Sequence, residues 1–226
     1  MKKVVAVLAT ILIGAWVASA ATIDPCPTAT YDVYVAMARA GNNCQIDDKV
    51  FSNFFYESSA IGGATAIPAS GVSVVPLTTQ FNPGFLFSAA WSVGSTQSQD
   101  SHFRYSVTVL PGGHLITDIS ALIEGYGAVG TGFISVGESV IPDPGRSLAL
   151  AYGLGLNIVH DRLDFENALV HLDVVKNIAV SGGALGSASA SGLENRFSEG
   201  VPEPLSLLLM GSGLLGLGAL RWRKKS

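Results

Sequence analysis

The sequence predicts an all-β protein, an antiparallel, jelly-roll-like β-sandwich with one short helix near its N-terminus. Two observations predict this fold. Eight segments alternate apolar and polar side chains with a period of two, and runs rich in Gly and Pro separate them. Because each apolar strand face needs a second sheet to cover it, such a series of strands favours a sandwich over a parallel α/β sheet. A closed barrel is the alternative, since the strand order is not readable.

The predicted helix precedes the strands. Residues 31–40 place Val33, Met37 and Ala40 at helical spacing, and Gly41 follows as a stop signal. After Asp48 the period changes to two, and strands are expected at residues 50–56, 72–77, 85–91, 102–110, 115–124, 131–140, 148–158 and 169–180. In 102–110, four apolar residues alternate with four polar ones, so one face of this strand is expected to be buried and the other solvated.

Two cysteines, Cys26 and Cys44, flank the predicted helix. An even number of cysteines in an exported chain favours a disulfide, and the chain-entropy estimate for a loop of this length is about 3 kcal/mol. A metal-binding pair is the competing interpretation. Neither cysteine belongs to a C-x-x-C motif and no histidine lies nearby in the sequence, so the disulfide is the prediction.

The N-terminus predicts a signal peptide over residues 1–20. Lys2 and Lys3 form a positive n-region, residues 4–17 form an apolar h-region, and an A-x-A cleavage site follows that consists of Ala18, Ser19 and Ala20. The mature chain is expected to begin at Ala21 after Sec export and cleavage by signal peptidase. A membrane-spanning helix is the alternative, but the apolar core is short for a span.

The C-terminus, residues 201–226, has three parts. The first is a box at 201–206 whose residues are Val201, Pro202, Glu203, Pro204, Leu205 and Ser206. Two prolines two positions apart exclude a regular helix or a paired central strand there, so an extended tether is expected. Residues 205–220 are apolar or small and predict a transmembrane helix of about 24 Å. The basic tail at 221–226 contains Arg221, Trp222, Arg223, Lys224 and Lys225 and predicts a cytoplasmic end.

This order of box, short apolar helix and basic end closely resembles the PEP-CTERM sorting signal of exported bacterial proteins. The resemblance implies that exosortase, a membrane-embedded cysteine transpeptidase, processes the chain at or near 201–206. It also implies that recognition uses Pro202, Glu203, Pro204, Arg221 and Arg223, and it suggests an association with exopolysaccharide or biofilm. An ordinary C-terminal membrane anchor with a proline-rich stalk is the alternative.

The remaining chain divides into three predicted parts. Residues 21–47 form a disulfide-closed segment with the short helix, 48–184 form the sandwich body, and 185–200 form a flexible linker rich in Gly, Ala and Ser. The body also looks like the sandwich domain of many PEP-CTERM proteins. Four short segments carry this looser resemblance, namely the one that begins with Asp48 and Lys49, the pair Asp100–Ser101, the one that begins with Gly112, Gly113 and His114, and the Phe197–Ser198–Glu199 end.

The charge distribution excludes a nucleic-acid-binding function. The chain has 13 basic and 17 acidic residues, but six of the basic ones lie in the two targeting segments and only Glu203 of the acidic ones does. Between Ala21 and Gly200 this leaves seven basic and 16 acidic residues, a net charge of −9. Such a domain repels a phosphate backbone and tolerates divalent cations or a cationic partner.

No catalytic, cofactor-binding or metal-binding residue is predicted. The glycines at 125, 127 and 130 fit a dinucleotide fingerprint by letters, but a strand is expected after them instead of the required helix, so a hairpin turn is predicted. The densest polar cluster, residues 160–166 with His171 and Asp173, is expected in a loop where charged groups are solvated; a weak Ca²⁺ site is the alternative.

These observations predict a non-enzymatic exported protein that is held transiently by a single membrane pass and then delivered to the cell surface or the extracellular matrix. The alternative is a carbohydrate-binding module of that matrix, for which Trp91 and Tyr126 are candidate sugar platforms. A secreted hydrolase is the third hypothesis, for which the sequence offers no nucleophile or acid–base pair.

Overall fold

A computed structural model describes residues 23–142 and 144–200 of the 226-residue chain. The predicted signal peptide, the 201–206 box, the 205–220 helix and the basic tail all lie outside these described residues. Within the described part, no helix combines the length and the apolar character needed to cross a bilayer.

The described chain forms two antiparallel seven-stranded sheets, which confirms the predicted antiparallel β-sandwich. In the first sheet the spatial order is β1 (Ala29–Thr30), β4 (Ser73–Leu77), β5 (Gly84–Val93), β14 (Ser187–Glu199), β7 (Ile116–Glu124) and β12 (His160–Leu169), and β8 (Gly127–Val129) also pairs with β14. In the second sheet the order is β11 (Leu156–Ile158), β10 (Leu148–Gly153), β9 (Phe133–Ile141), β13 (His171–Ser181), β6 (Ser98–Val109), β3 (Lys49–Ile61) and β2 (Cys44–Ile46). The sheets have separate edge strands, so the closed barrel is wrong.

The core between the two sheets is rich in aromatic rings. Helix α1 (Tyr31–Arg39) contributes Tyr31 and Tyr34, both fully buried, to one end of it. The Tyr31 ring lies 5.2 Å from the Phe103 ring of β6 and 5.9 Å from the Phe87 ring of β5, measured between centroids. The helix therefore packs against strands of both sheets at this end of the sandwich. Edge-to-face and tilted contacts are geometries that aromatic rings prefer.

The N-terminal segment is anchored at three places. The predicted disulfide is confirmed: Cys26 and Cys44 are joined, with their Cα atoms 4.7 Å apart. Strand β1 pairs with β4, and β2 pairs with β3. Residues 23–47 are therefore part of the sandwich, and the separation of this segment from the body at residue 48 was wrong.

The predicted flexible linker at 185–200 is wrong over most of its length. Residues Ser187–Glu199 form β14, which pairs with β5 on one side and with β7 and β8 on the other. The burial of its side chains alternates along the strand: Ala188, Ala190 and Leu193 are buried, whereas Ser189 and Glu194 are only partly buried. The Gly, Ala and Ser content that predicted flexibility instead belongs to a central strand, so the body extends to residue 199.

Three smaller predictions also need correction. The single strand expected at 148–158 is the β10–β11 hairpin, which turns at Leu154 (φ 52°) and Gly155 (φ 85°). The loop expected at 160–166 belongs to edge strand β12, whose residues 160–164 pair with β7 along one side. Gly125 lies between β7 and β8, and Gly130 lies in the turn from β8 to β9. The two glycines therefore do not belong to the single hairpin turn that was predicted.

The disulfide gives the first testable prediction. Because Cys26 and Cys44 lie 18 residues apart in the sequence, reduction restores loop entropy to the unfolded chain and should lower the free energy of unfolding by about 3 kcal/mol. Urea denaturation with and without a thiol reductant measures this difference. A Cys26→Ser/Cys44→Ser variant is the control and should be equally unstable in both conditions; a wild-type protein that does not respond to the reductant would contradict the prediction.

Candidate functional site at the end of the last strand

Four polar side chains meet where β14 ends. Lys49 begins β3, Asp48 precedes it, His114 lies in the turn before β7, and Glu199 ends β14. We call these residues the junction cluster, because the next residues of the chain begin the predicted sorting signal. Three of the four short segments of the body resemblance thus come together at one place, whereas Asp100 and Ser101 lie near the other end of β6.

Lys49 is the centre of the junction cluster. Its side chain is fully buried, and its ammonium group donates hydrogen bonds to Asp48 Oδ1, to Glu199 Oε1 at 2.6 Å and to the His114 carbonyl oxygen at 2.8 Å. An ammonium group has three protons, so these three acceptors satisfy it completely. The ion pair between Lys49 and Glu199 fixes the last residue of β14 to the first residue of β3 across the two sheets.

The backbone around His114 completes the cluster. The His114 amide donates to Asp48 Oδ2 at 2.5 Å. A Cβ atom at Gly113 would lie 2.5 Å from the same oxygen, so only glycine allows this close approach. The His114 ring, 5.3 Å from the Phe81 ring, places Nδ1 at 3.5 Å from Asp48 Oδ2 and 3.6 Å from Glu199 Oε2.

The two carboxyl groups of the cluster differ in their proton affinity. Burial raises the pKa of Asp48, but hydrogen bonds from Lys49 and the His114 amide, together with the Lys49 charge, outweigh it and hold the pKa below its usual value. Burial also raises the pKa of Glu199, the Lys49 hydrogen bond and charge only partly offset it, and the nearby Asp48 charge adds to the increase. The last residue of β14 therefore accepts a proton more readily than Asp48 does.

The junction cluster also contains the one group of three metal-ligating side chains found within residues 23–142 and 144–200. One oxygen or nitrogen atom each from Asp48, His114 and Glu199 lies within 4.8 Å of the others. Glu199 Oε2 is buried and accepts no hydrogen bond. Two carboxylates and an imidazole suit Zn²⁺ or a similar transition metal better than Ca²⁺, which prefers oxygen ligands alone.

The other sequence candidates are not brought together. His160 and Asp161 lie on edge strand β12, whereas His171 and Asp173 lie on β13 of the other sheet. Asp161 instead pairs with Arg146, and His171 contacts Thr108. The predicted Ca²⁺ alternative in this region therefore has no common centre.

The two candidate sugar platforms, Trp91 and Tyr126, differ in their exposure to solvent. Trp91 is fully buried and its indole N–H donates to Ser101 Oγ, so it is not available to a ligand. Tyr126 is 39% exposed and its ring lies 4.5 Å from that of Tyr152.

Sequence reasoning did not identify the junction cluster as a site. The available signals were an Asp–Lys pair at the start of a strand and a Gly–Gly–His turn. Neither signal indicates the other, because Lys49 and His114 are 65 positions apart in the sequence, and Glu199 lies 150 positions from Lys49.

Removing the Lys49 charge tests the electrostatics of the cluster. Lys49→Met leaves two carboxylates at the end of β14 without their cation and should lower the free energy of unfolding at pH 7 by about 3–5 kcal/mol. Without Lys49, the folded state holds protons on these carboxyl groups more tightly than the unfolded state does, so the loss should shrink as the pH falls toward about 5. Denaturation at both pH values measures the effect.

The matched control is Lys49→Met combined with Glu199→Gln. It removes both members of the buried ion pair and should recover most of the lost stability at pH 7. The electrostatic explanation would be contradicted if the double variant were as unstable as Lys49→Met. It would also be contradicted if the stability lost by Lys49→Met did not depend on pH.

Comparison with solved structures shows partial similarity to β-sandwich domains. TmCBM61, solved in complex with β-1,4-galactotriose, is 14% identical with a TM-score of 0.32, and the match covers 64% of this chain and 88% of that one. The family 11 carbohydrate-binding module of Clostridium thermocellum, solved with a β-1,3-1,4-mixed-linked tetrasaccharide, is 9% identical with a TM-score of 0.25, and the match covers 66% and 91%. No ligand can be assigned to this chain from similarities of this size.

A third structure is matched over a small part of its length. The enzymatically active domain of tailspike protein 4 from bacteriophage CBA120 is 14% identical with a TM-score of 0.27, and the match covers 63% of this chain but only 19% of the phage chain. No curated protein sequence matches the chain.

The family comparison concerns the C-terminal end. The family model described as the PEP-CTERM protein-sorting motif matches residues 200–224, which begin directly after the junction cluster. The match contains the box, the apolar segment and most of the basic end that the sequence analysis identified. The chain therefore carries a PEP-CTERM protein-sorting motif at residues 200–224.

Proposed function

We propose that this chain is a non-enzymatic exported protein that exosortase sorts and processes at residues 201–206, and that its sandwich is then presented at the cell surface or in an exopolysaccharide matrix. The observation that carries the proposal is the PEP-CTERM sorting motif directly after the last strand of the body. Exosortase is the processing partner that this motif implies. In this proposal the sandwich is the cargo and the motif is a temporary membrane attachment.

The chemistry of the body supports an extracellular destination. Both cysteines form a disulfide, which persists in an oxidising compartment and not in a reducing cytoplasm. The net charge of −9 between Ala21 and Gly200 favours solubility and disfavours nucleic-acid binding.

A non-enzymatic role is supported by how the polar groups of the described residues are used. In the junction cluster, Lys49 has all its protons engaged, and none of the four side chains is a hydroxyl or thiol nucleophile. The exposed residue His171 contacts Thr108 and Asp173, and the partly buried His102 contacts Asp100 and Asn177.

Replacement of Pro202, Glu203 and Pro204 by alanine tests the sorting role. In the native host the wild-type chain should be processed and released, whereas the triple variant should remain at full length in the membrane fraction, because the extended box no longer fits the processing enzyme. Immunoblotting of cell fractions, with mass spectrometry of the mature C-terminus, measures both. Host cells that lack exosortase should reproduce the variant's behaviour with the wild-type chain; processing that continues unchanged in either case would refute the proposal.

A carbohydrate-binding role is the second candidate, and the exposed Tyr126–Tyr152 ring pair favours it. Paired, partly exposed aromatic rings offer an apolar surface with hydroxyl groups at its edge, which suits stacking against a sugar ring. The ligand class would be a neutral polysaccharide of the surrounding matrix.

Affinity electrophoresis of the exported protein in gels that contain host exopolysaccharide tests this second role. Tyr126→Ala should weaken retention about tenfold because it removes half of the aromatic pair. Phe55→Ala is the matched control, since Phe55 is similarly exposed but stacks under Arg104 on another strand. Equal retention of wild type and Tyr126→Ala, or no retention of either, would remove this candidate.

A further inference from the structure

The sandwich core contains a second polar group, distant from the junction cluster. Lys176 of β13, Glu138 of β9 and Asn195 of β14 are all buried to within 1% of complete burial. Placing an amine and a carboxyl group in an apolar core costs several kcal/mol for each ion unless both are well paired. The ordinary residues for such positions are aliphatic, so this group calls for a chemical explanation.

One carboxyl group holds the other two side chains. Lys176 and Glu138 are directly opposite each other in the β13–β9 register, and Lys176 Nζ lies 2.6 Å from Glu138 Oε2. The second oxygen, Glu138 Oε1, accepts a hydrogen bond from Asn195 Nδ2 at 3.1 Å. Asn195 comes from the opposite sheet, so the amine of Lys176 and the amide of Asn195 are brought to the same carboxyl group from the two halves of the sandwich.

The amide of Asn195 is fixed in one orientation. Its Nδ2 also donates to the Ser120 carbonyl oxygen at 2.9 Å, and its Oδ1 accepts a hydrogen bond from the Tyr105 hydroxyl. A hydrogen bond to Oδ1 withdraws electron density from the amide carbon and would stabilise negative charge that develops on that oxygen.

The two lysines among residues 23–142 and 144–200 are both buried, and they differ in how their amines are satisfied. Lys49 has three acceptors for its three protons. Lys176 Nζ lies 2.6 Å from Glu138 Oε2, and no other hydrogen-bond partner among the described residues reaches either atom. The other close neighbour is an aromatic face, the Phe87 ring with its centroid 5.8 Å from Nζ. With one carboxylate oxygen and one aromatic face for its three protons, the ammonium form of Lys176 is less completely satisfied than that of Lys49.

Burial acts on both ionisable groups in the direction of neutrality. It lowers the pKa of Lys176, which the Glu138 charge and hydrogen bond only partly offset. It also raises the pKa of Glu138 against the opposing effects of Lys176 and Asn195. Burial further raises the pKa of Tyr105 well above its ordinary value, so its hydroxyl stays protonated as a donor to Asn195. A neutral amine, a protonated acid and a polarised amide are the reactants that an amide exchange requires.

We propose that Lys176 and Asn195 form an intramolecular isopeptide bond, with Glu138 as the group that transfers the proton. The Lys176 Nζ lone pair attacks the amide carbon of Asn195, and Tyr105 stabilises the resulting oxyanion. Glu138 accepts a proton from Nζ at one oxygen and delivers a proton to Nδ2 from the other. The bond between the amide carbon and Nδ2 then breaks, ammonia leaves, and a secondary amide remains. The step needs no oxidant, metal or co-reactant.

The bond would join β13 of one sheet to β14 of the other. Because β14 leads directly into the sorting motif, the covalent link would lie between the membrane attachment and the rest of the body. It would keep the sandwich closed under tension applied at the C-terminus. The inference does not depend on the proposed function, since the chemistry takes place inside the folded body.

Trypsin digestion of the exported, full-length protein tests the proposal. Trypsin cleaves after unmodified lysine and arginine, so an unlinked chain gives separate peptides that end at Lys176 and at Arg196. The isopeptide bond blocks cleavage at Lys176 and should give one looped peptide, residues 163–196, lighter than its calculated mass by about 17 Da for the lost ammonia. Tandem mass spectrometry should show no fragmentation products from within the loop between the two linked residues.

Four variants keep the outcome interpretable. Glu138→Gln and Lys176→Met should give no mass loss, and Lys49→Met, the matched variant of the other buried lysine, should keep it. Asn195→Asp should still link but lose about 18 Da, because water leaves in place of ammonia. Cooperative thermal unfolding of each variant, followed by circular dichroism, establishes that it is folded.

Two results would overturn the proposal. The first is a folded wild-type protein whose peptides ending at Lys176 and Arg196 carry their calculated masses after prolonged incubation. The second is a loss of ammonia with normal cleavage at Lys176, which would indicate a succinimide at an asparagine and no link between the strands.

Discussion

The central position of β14 is the constraint on which the rest of this structure depends. The strand is hydrogen-bonded on one side to β5 and on the other to β7 and β8, and its inward side chains reach the facing sheet. A central strand cannot leave its sheet without breaking both ladders, so the end of the body is fixed within the sandwich. The PEP-CTERM motif begins one residue after this strand, and the folded body therefore extends to the start of the sorting signal.

Two residues of β14 make buried polar contacts with the opposite sheet. Asn195 reaches Glu138 and Tyr105 in the middle of the core, and Glu199 reaches Lys49 at its end. These contacts join the two sheets at buried positions that apolar side chains usually occupy. At the end of the strand, Lys49 has a hydrogen-bond acceptor for each of its protons. In the middle, Lys176 has a single carboxylate partner, and burial lowers its pKa.

Several features were predictable because they are local. Alternation of apolar and polar residues predicted most strands, and the spacing of Val33 and Met37 predicted helix α1, whose observed range is Tyr31–Arg39. The cysteine pair was predictable because only two cysteines exist in the chain. The prediction failed at β14, where small residues were interpreted as a linker, and at residues 148–158, where a turn at Leu154 and Gly155 interrupts an apolar alternation. In both places the secondary structure depends on the strand with which the segment pairs, and the composition of the segment alone does not reveal that strand.

The sequence by itself determined the fold class, the disulfide and the sorting motif, because each is encoded in residues that are near one another or in a composition that leaves a single pairing. Only the tertiary structure decided which strands lie in the centre, and with that the junction cluster and the Lys176–Glu138–Asn195 group. The physical reason is that these charged and amide side chains lie on different strands that the sandwich brings into contact. Nothing in the sequence distinguishes a buried lysine from a surface lysine until the fold places a carboxyl group 2.6 Å from its amine, from the opposing sheet for Lys49 and from the neighbouring strand for Lys176.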